Sequence, residues 1–177
     1  MEAERERAAD GLVFEPVRTG EQIKEMTDLA DEIWHEYFVT ILSPDQIDYM
    51  VEKFQSAGAV KKQIADQGYQ YYMLKLSGRL IGYTGIVEQP QEKRLFLSKL
   101  YLEKPFRGRG YASRTFEFLE ELCRQKGLSA IWLTVNRFND HTIRVYEKKG
   151  FVKVRTQAAD IGNGYLMDDY IMEKHFS

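Results

Sequence analysis

The sequence predicts an α/β fold: a mixed sheet of about seven strands with helices flanking it. Three observations predict this. Helices with clear apolar stripes follow a short first strand, three strand-like runs then succeed one another as a meander, and helix and strand patterns alternate to the end of the chain.

Taken in order, Met1 to Gly11 is a charged lead-in expected to fray, and residues 12–177 are expected to form a single domain. Leu12 to Val17 alternates as a first strand. Thr19 to Phe38 reads as helix, with Ile23, Met26, Leu29, Ala30, Ile33, Trp34 and Tyr37 on one stripe. Ser43 followed by Pro44 marks the next helix start, an N-cap before a proline at the first helical position. That helix carries Ile47, Met50, Val51 and Phe54, and a short third helix covers Ala59 to Asp66. Tyr69 to Leu76, Leu80 to Glu88 and Arg94 to Leu102 are the meander, with Ser77-Gly78-Arg79 as a tight hairpin connection. Gly110 to Gln125 is a long amphipathic helix ended near Gly127, and Ala130 to Val135 is a strand. Asn139 to Lys149 is a helix ending at Gly150, followed by strands over Phe151 to Arg155 and Gly164 to Glu173.

Composition narrows the function classes. With 177 residues the chain can bury a core without staples, and a formal net charge of -2 gives no global attraction to nucleic acid or an anionic membrane. Cys123 is the one cysteine, so an intrachain disulfide is impossible. It lies on an apolar stripe with Phe118, Leu119 and Leu122, which suits a small buried hydrophobe better than a nucleophile. No His/Cys/Asp cluster has metal-ligand spacing. The start has no apolar signal core, and no run reaches the roughly 20 apolar residues of a membrane span, so the cytoplasm is the expected compartment.

The segment that carries chemistry is Arg107-Gly108-Arg109-Gly110-Tyr111-Ala112, between a strand and a helix. The first turn of a helix has N–H groups without intrahelical partners, and its dipole makes that end positive. Glycines let the backbone approach a ligand closely, and the arginines add charge suited to phosphate oxygens, so a diphosphate is the natural guest. Taken alone, the same residues also fit a solvated turn. No Gly-Lys-Ser/Thr follows, which excludes a P-loop, and Ser113 stands where a dinucleotide fingerprint needs its third glycine.

Arg107-x-x-Gly110-x-Ala112 resembles the pyrophosphate motif of the GNAT acetyltransferases. Asn139 through Gly150-Phe151, with Tyr146-x-x-x-Gly150-Phe151, resembles the second motif of that family. The two are separated by one helix and one strand, as in the family, and the element order matches over about residues 12–174. Residues 34–54 and Met167 to Lys174 also resemble bacterial spermine/spermidine acetyltransferases.

The resemblance implies a mostly antiparallel sheet, acetyl-CoA as cofactor and a primary amine of a small molecule as acceptor, in a monomer or a homodimer. It implies that Leu100, Tyr101 and Leu102 pair with the pantetheine arm and that the amides from Gly108 through Arg109, Gly110, Tyr111 and Ala112 to Ser113 hold the pyrophosphate. Asn139 would hold the cofactor arm and Lys148 is a candidate for the 3′-phosphate. Tyr146 is the implied general acid for the departing thiolate. Relatives that acetylate polyamines often carry Glu where this chain has Ser98, so the proton of the amine must leave otherwise, by water to Glu36, Asp48 or His35, or to no single residue. A polyamine would need carboxylates near aromatic rings; Glu36, Asp168 and Asp169 are the candidates. A peptide or protein N-terminal acetyltransferase and a non-catalytic acyl-CoA sensor are the alternatives on the same fold.

Overall fold

The computed structural model describes residues 11–176. Seven strands are present: β1 (Leu12–Pro16), β2 (Tyr69–Leu76), β3 (Arg79–Gln89), β4 (Arg94–Leu102), β5 (Ala130–Asn136), β6 (Val152–Gly162) and β7 (Tyr165–His175). Five α-helices accompany them: α1 (Gly20–Tyr37), α2 (Pro44–Gln55), α3 (Ala57–Asp66), α4 (Tyr111–Lys126) and α5 (Asp140–Lys148). The strands hydrogen-bond in the order β1-β2-β3-β4-β5-β7-β6. β4 and β5 are parallel, from Arg94 opposite Ala130 to Leu97 opposite Leu133, and α4 supplies the crossover that a parallel pair requires. β1/β2, β2/β3, β5/β7 and β6/β7 are antiparallel. The mixed, mostly antiparallel sheet expected from the sequence is therefore present. The lead-in at Met1 to Asp10 lies outside the described residues.

The chain divides into two compact units, one holding the chain up to Val87 together with Lys99–Phe116, the other Glu88–Ser98 together with Glu117 onward. The starts of α1, α2 and α3, in the first unit, each follow from a short polar side chain. Thr19 Oγ1 accepts from Gln22 N (3.2 Å) while Gln22 Oε1 accepts from Thr19 N (3.0 Å), a reciprocal capping box. Ser43 caps α2 through Gln46 N, and Ser56 caps α3 through Ala59 N, both at 3.2 Å. The Ser56 cap starts α3 at Ala57, two residues earlier than the apolar pattern indicates.

Alternation along β2 sends Tyr71 and Met73 to one face, where they pack with Ile23, Met26, Ala30, Val60 and Tyr83. Leu74 goes to the other face, with Leu12, Ile81, Leu102 and Phe106. The first face also buries a hydrogen-bonded chain of side chains. Trp34 Nε1 donates to Tyr83 Oη (2.8 Å), whose hydroxyl donates to Gln55 Oε1 (2.6 Å). Gln55 Nε2 donates to Tyr71 Oη (3.2 Å), and the Tyr71 hydroxyl donates to Gln63 Oε1. Gln63 Nε2 ends the chain on the carbonyl of Phe54 (2.9 Å). Burial pushes the Tyr71 and Tyr83 hydroxyls well up from their ordinary value, so both stay protonated and work as donors. Each link satisfies a group that would be costly to bury unpaired, and together they fix α1, α2 and α3 against β2 and β3.

In the second unit Phe96 and Trp132 stack across β4 and β5 at 4.1 Å, with the Arg94 guanidinium 4.8 Å from the indole. Gly127 closes α4 at φ +70°, and Leu128 N donates back to Cys123 O (2.8 Å). Gly150, at φ +97°, closes α5 in the same way, with Phe151 N donating to Tyr146 O (3.1 Å). β6 is longer than its sequence pattern indicates, running to Gly162 rather than Arg155. Residues 152–158 are exposed on both sides of this edge strand, so no burial alternates along it to mark its length.

Candidate active site

The glycine loop leaves β4 through a single 3₁₀ turn over Lys104–Phe106 and enters α4 at Tyr111. Gly108 and Gly110 take φ of +73° and +88°, the left-handed region that a side chain resists. A Cβ at either would meet nothing within 4 Å, so the space beside the loop backbone is open on that side. Arg114 N donates to Gly110 O (3.0 Å), and the amides of a helix's first turn point outward along its axis toward the loop. The Tyr111 and Ala112 side chains pack instead on the cluster around Leu102 and Phe106. Side chains point into the core, the backbone faces open space, and Arg109 is exposed: the loop fits a diphosphate.

Arg107, expected from the sequence to meet phosphate, has partners within the protein. Its Nε donates to Leu102 O (3.0 Å), Nη1 donates to Glu36 Oε2 (3.1 Å), and Nη2 lies 2.6 Å from Glu36 Oε1. The guanidinium also covers the Tyr37 ring at 5.2 Å. Arg107 thus ties the end of α1 to the end of β4. Glu36, expected at the substrate, is its counter-ion. A contact between residues 71 apart in sequence leaves no trace in local periodicity.

On β4, Lys99 and Tyr101 point to the α1 side and Leu102 to the opposite cluster. Tyr101 sits among Trp34 (5.4 Å), Tyr37 (5.8 Å), Phe38 (6.2 Å) and Tyr83 (5.8 Å). β3 approaches so closely that a Cβ at Gly82 would collide with the Tyr101 carbonyl. Thr84 Oγ1 donates to Lys99 O (2.8 Å), and Glu103 N donates to Ile81 O (2.8 Å). These contacts fix the backbone on both sides of Leu100.

Sequence reasoning named His35 and Asp48 separately; the structure joins them. His35 Nε2 lies 2.5 Å from Asp48 Oδ1, and Nδ1 lies 2.7 Å from Asp31 O. The Asp48 hydrogen bond, followed by that of the Asp31 carbonyl, raises the imidazole above its ordinary pKa.

In the second unit Asn139 caps α5, accepting from Thr142 N at 3.4 Å. Tyr146 is half-buried with its ring 5.8 Å from Phe151, and Lys148 is exposed in the last turn. Asp168 lies 3.3 Å from Arg137 Nη1, while Asp169 is buried opposite Asn136 in the β5/β7 register. Cys123 is fully buried, and desolvation, with Glu120 and Glu88 adding to it, pushes its thiol up to about 12. Among the described residues no helix is long and apolar enough to cross a membrane.

Comparison with known proteins agrees with this geometry. The model of the acetyltransferase (GNAT) family matches residues 25–151. An uncharacterised N-acetyltransferase of Lactobacillus delbrueckii subsp. lactis is 26% identical over 158 residues, covering 86% of this chain and 91% of the relative. The PaiA N-acetyltransferase of Thermoplasma acidophilum, solved in complex with coenzyme A, superposes with a TM-score of 0.72 at 19% identity, covering 93% of this chain and 99% of that one. A point mutant of the spermidine N-acetyltransferase SpeG of Vibrio cholerae gives 0.64 at 17% identity, covering 93% of each chain. The chain belongs to the acetyltransferase (GNAT) family and is an N-acetyltransferase that uses acetyl-CoA.

Proposed function

We propose that the protein transfers acetyl from acetyl-CoA to a primary amine of a small molecule by direct attack within a ternary complex. The observation that supports direct attack is the state of Cys123. A fully buried thiol pushed up to about 12 is a poor relay nucleophile, and the chain has no other cysteine.

The cofactor supplies an activated acetyl thioester. The amides from Gly108 to Ser113 hold its pyrophosphate, and the backbone at Leu100, Tyr101 and Leu102 aligns the arm, with an N–H there positioned for the carbonyl oxygen as charge develops. Asn139 and Lys148 complete the cofactor contacts, Asn139 in addition to its capping role. Tyr146 donates to the sulfur as the thiolate leaves. A reference pKa of about 10 against about 8.5 for a thiol makes a hydrogen bond more economical than full transfer. An alkylamine with a reference pKa near 10.4 must first lose a proton. Ser98 is not a base, so the proton passes to water, and from there to Glu36, to the hydrogen-bonded His35–Asp48 pair, or to no single residue.

Spermidine is the narrower form of this reading. Its support is the fold shared with SpeG and the carboxylates Glu36, Asp168 and Asp169. Two of the three face cations of the chain itself, Arg107 and Arg137, which weakens it.

Initial rates measured while varying acetyl-CoA at several fixed amine concentrations test direct attack. Intersecting double-reciprocal lines are expected; parallel lines, or an acetylated protein isolated without amine, would contradict it.

A further inference from the structure

The backbone at the end of β4 is held from the β3 side. Thr84, on β3, is fully buried, and its Oγ1 donates to the carbonyl of Lys99 at 2.8 Å. Two residues earlier on β3, Gly82 brings its bare backbone against the Tyr101 carbonyl, where a Cβ would collide. The Ile81 carbonyl then accepts from Glu103 N (2.8 Å). Lys99, Tyr101 and Glu103 are thus each tied to β3, and at Lys99 the tie includes a side-chain hydroxyl.

The direction of the neighbouring N–H follows from the peptide unit itself. The unit is planar, and among the described residues no peptide bond is cis. In a trans unit the C=O and the following N–H point in opposite directions. The Lys99 carbonyl faces Thr84, so the Leu100 N–H points away from β3. Valine has the shape of threonine and suits a buried strand at least as well. A buried hydroxyl needs a partner that valine does not, and the partner it takes here is the carbonyl that shares a peptide plane with the Leu100 N–H.

We infer that Thr84 is a positioning residue: by holding the Lys99 carbonyl it orients the Lys99–Leu100 peptide so that the Leu100 N–H meets the thioester oxygen of acetyl-CoA. This rests on the direct-attack reading above and adds which N–H acts and what aims it. A donor is effective in the transition state when it is aimed before charge develops. Removing such a donor altogether costs about 10²–10³ in kcat, and loosening one costs a smaller share, about tenfold.

The test compares Thr84→Val, which removes the hydroxyl at constant shape, with Thr84→Ser, which keeps it. Thr27→Val is the control: Thr27 is a buried threonine of α1 whose hydroxyl donates to Lys24 O (3.3 Å). Turnover is followed as thiol release with whichever of lysine, cadaverine and spermidine gives the most. Thr84→Val is expected to lower kcat about tenfold and to leave unchanged the Kd for CoA, which lacks the acetyl carbonyl. Thr84→Ser should stay within about twofold of the wild type, and Thr27→Val should match it. A second readout needs no turnover: the infrared stretch of acetyl-CoA labelled with carbon-13 at the thioester carbonyl, bound to each protein. It should lie at higher frequency in Thr84→Val than in the wild type, because a weaker hydrogen bond to the oxygen leaves a stronger C=O bond. Thr84→Ala serves in its place if Thr84→Val does not fold. Wild-type kcat and carbonyl stretch in Thr84→Val would overturn the inference and leave the enzyme reading intact. Equal losses in Thr84→Ser, or in Thr27→Val, would also overturn it, because packing or stability alone would then explain them. Silence of the wild type with every amine would count against the transfer reading; an unshifted stretch in Thr84→Val would then still overturn the role of Thr84.

Discussion

Gly110→Val is expected to weaken acetyl-CoA binding about 100-fold, measured as the dissociation constant by calorimetry. Gly110 has φ +88°, where a β-branched residue is a genuine outlier. Left-handed backbone costs an ordinary L-residue about 1–2 kcal/mol, roughly tenfold in binding if the loop must keep its shape to bind. A second factor comes from the side chain itself. Nothing lies within 4 Å of a Cβ at Gly110, so valine would extend into the open space that the pyrophosphate is proposed to occupy. Gly164→Ala is the control. It has φ +78° and equally open space, but lies in the turn between β6 and β7. It should cost a similar strain in stability and leave the dissociation constant unchanged. An unchanged constant in Gly110→Val, with the fold intact, would remove the loop from the cofactor site.

Tyr146→Phe is expected to lower kcat about 100-fold or more, the usual range for a lost general acid, while the dissociation constant for acetyl-CoA shifts little. The substitution keeps the ring that packs 5.8 Å from Phe151 and the backbone carbonyl that accepts from Phe151 N and Lys149 N. It removes only the hydroxyl, so a loss confined to kcat isolates the chemical role. If Tyr146 serves only as packing, kcat stays within a fewfold of wild type. Steady-state rates at saturating acetyl-CoA decide between the two.

The parts of this molecule legible in its sequence are those written in local pattern. Ser43-Pro44 declares the start of α2, Gly127 and Gly150 close α4 and α5, and alternation marks β2 to β5, because caps and pleat alternation act over a few residues. The glycine loop was legible for the same reason: its positive φ angles require the residues seen at 108 and 110. What the sequence did not declare depends on distant partners. Arg107 reads as a phosphate ligand until α1 brings Glu36 to it, and Asn139 reads as a cofactor ligand although it also caps its own helix. The Trp34–Tyr83–Gln55–Tyr71–Gln63 chain joins residues from three helices and two strands, and only the fold places them together. The end of β6 escaped notice because exposure on both faces erases the alternation that reveals a strand.

The central claim is that this chain moves acetyl from acetyl-CoA to an amine. Free-thiol release from acetyl-CoA, followed with and without a panel of primary amines and matched to acetylated amine by mass spectrometry, tests it most directly. Thiol release that depends on an amine and equals the acetylated product mole for mole is the expected result. No amine-dependent release from a protein whose melting temperature acetyl-CoA still raises would contradict the claim and make the chain a binder of the cofactor rather than a catalyst.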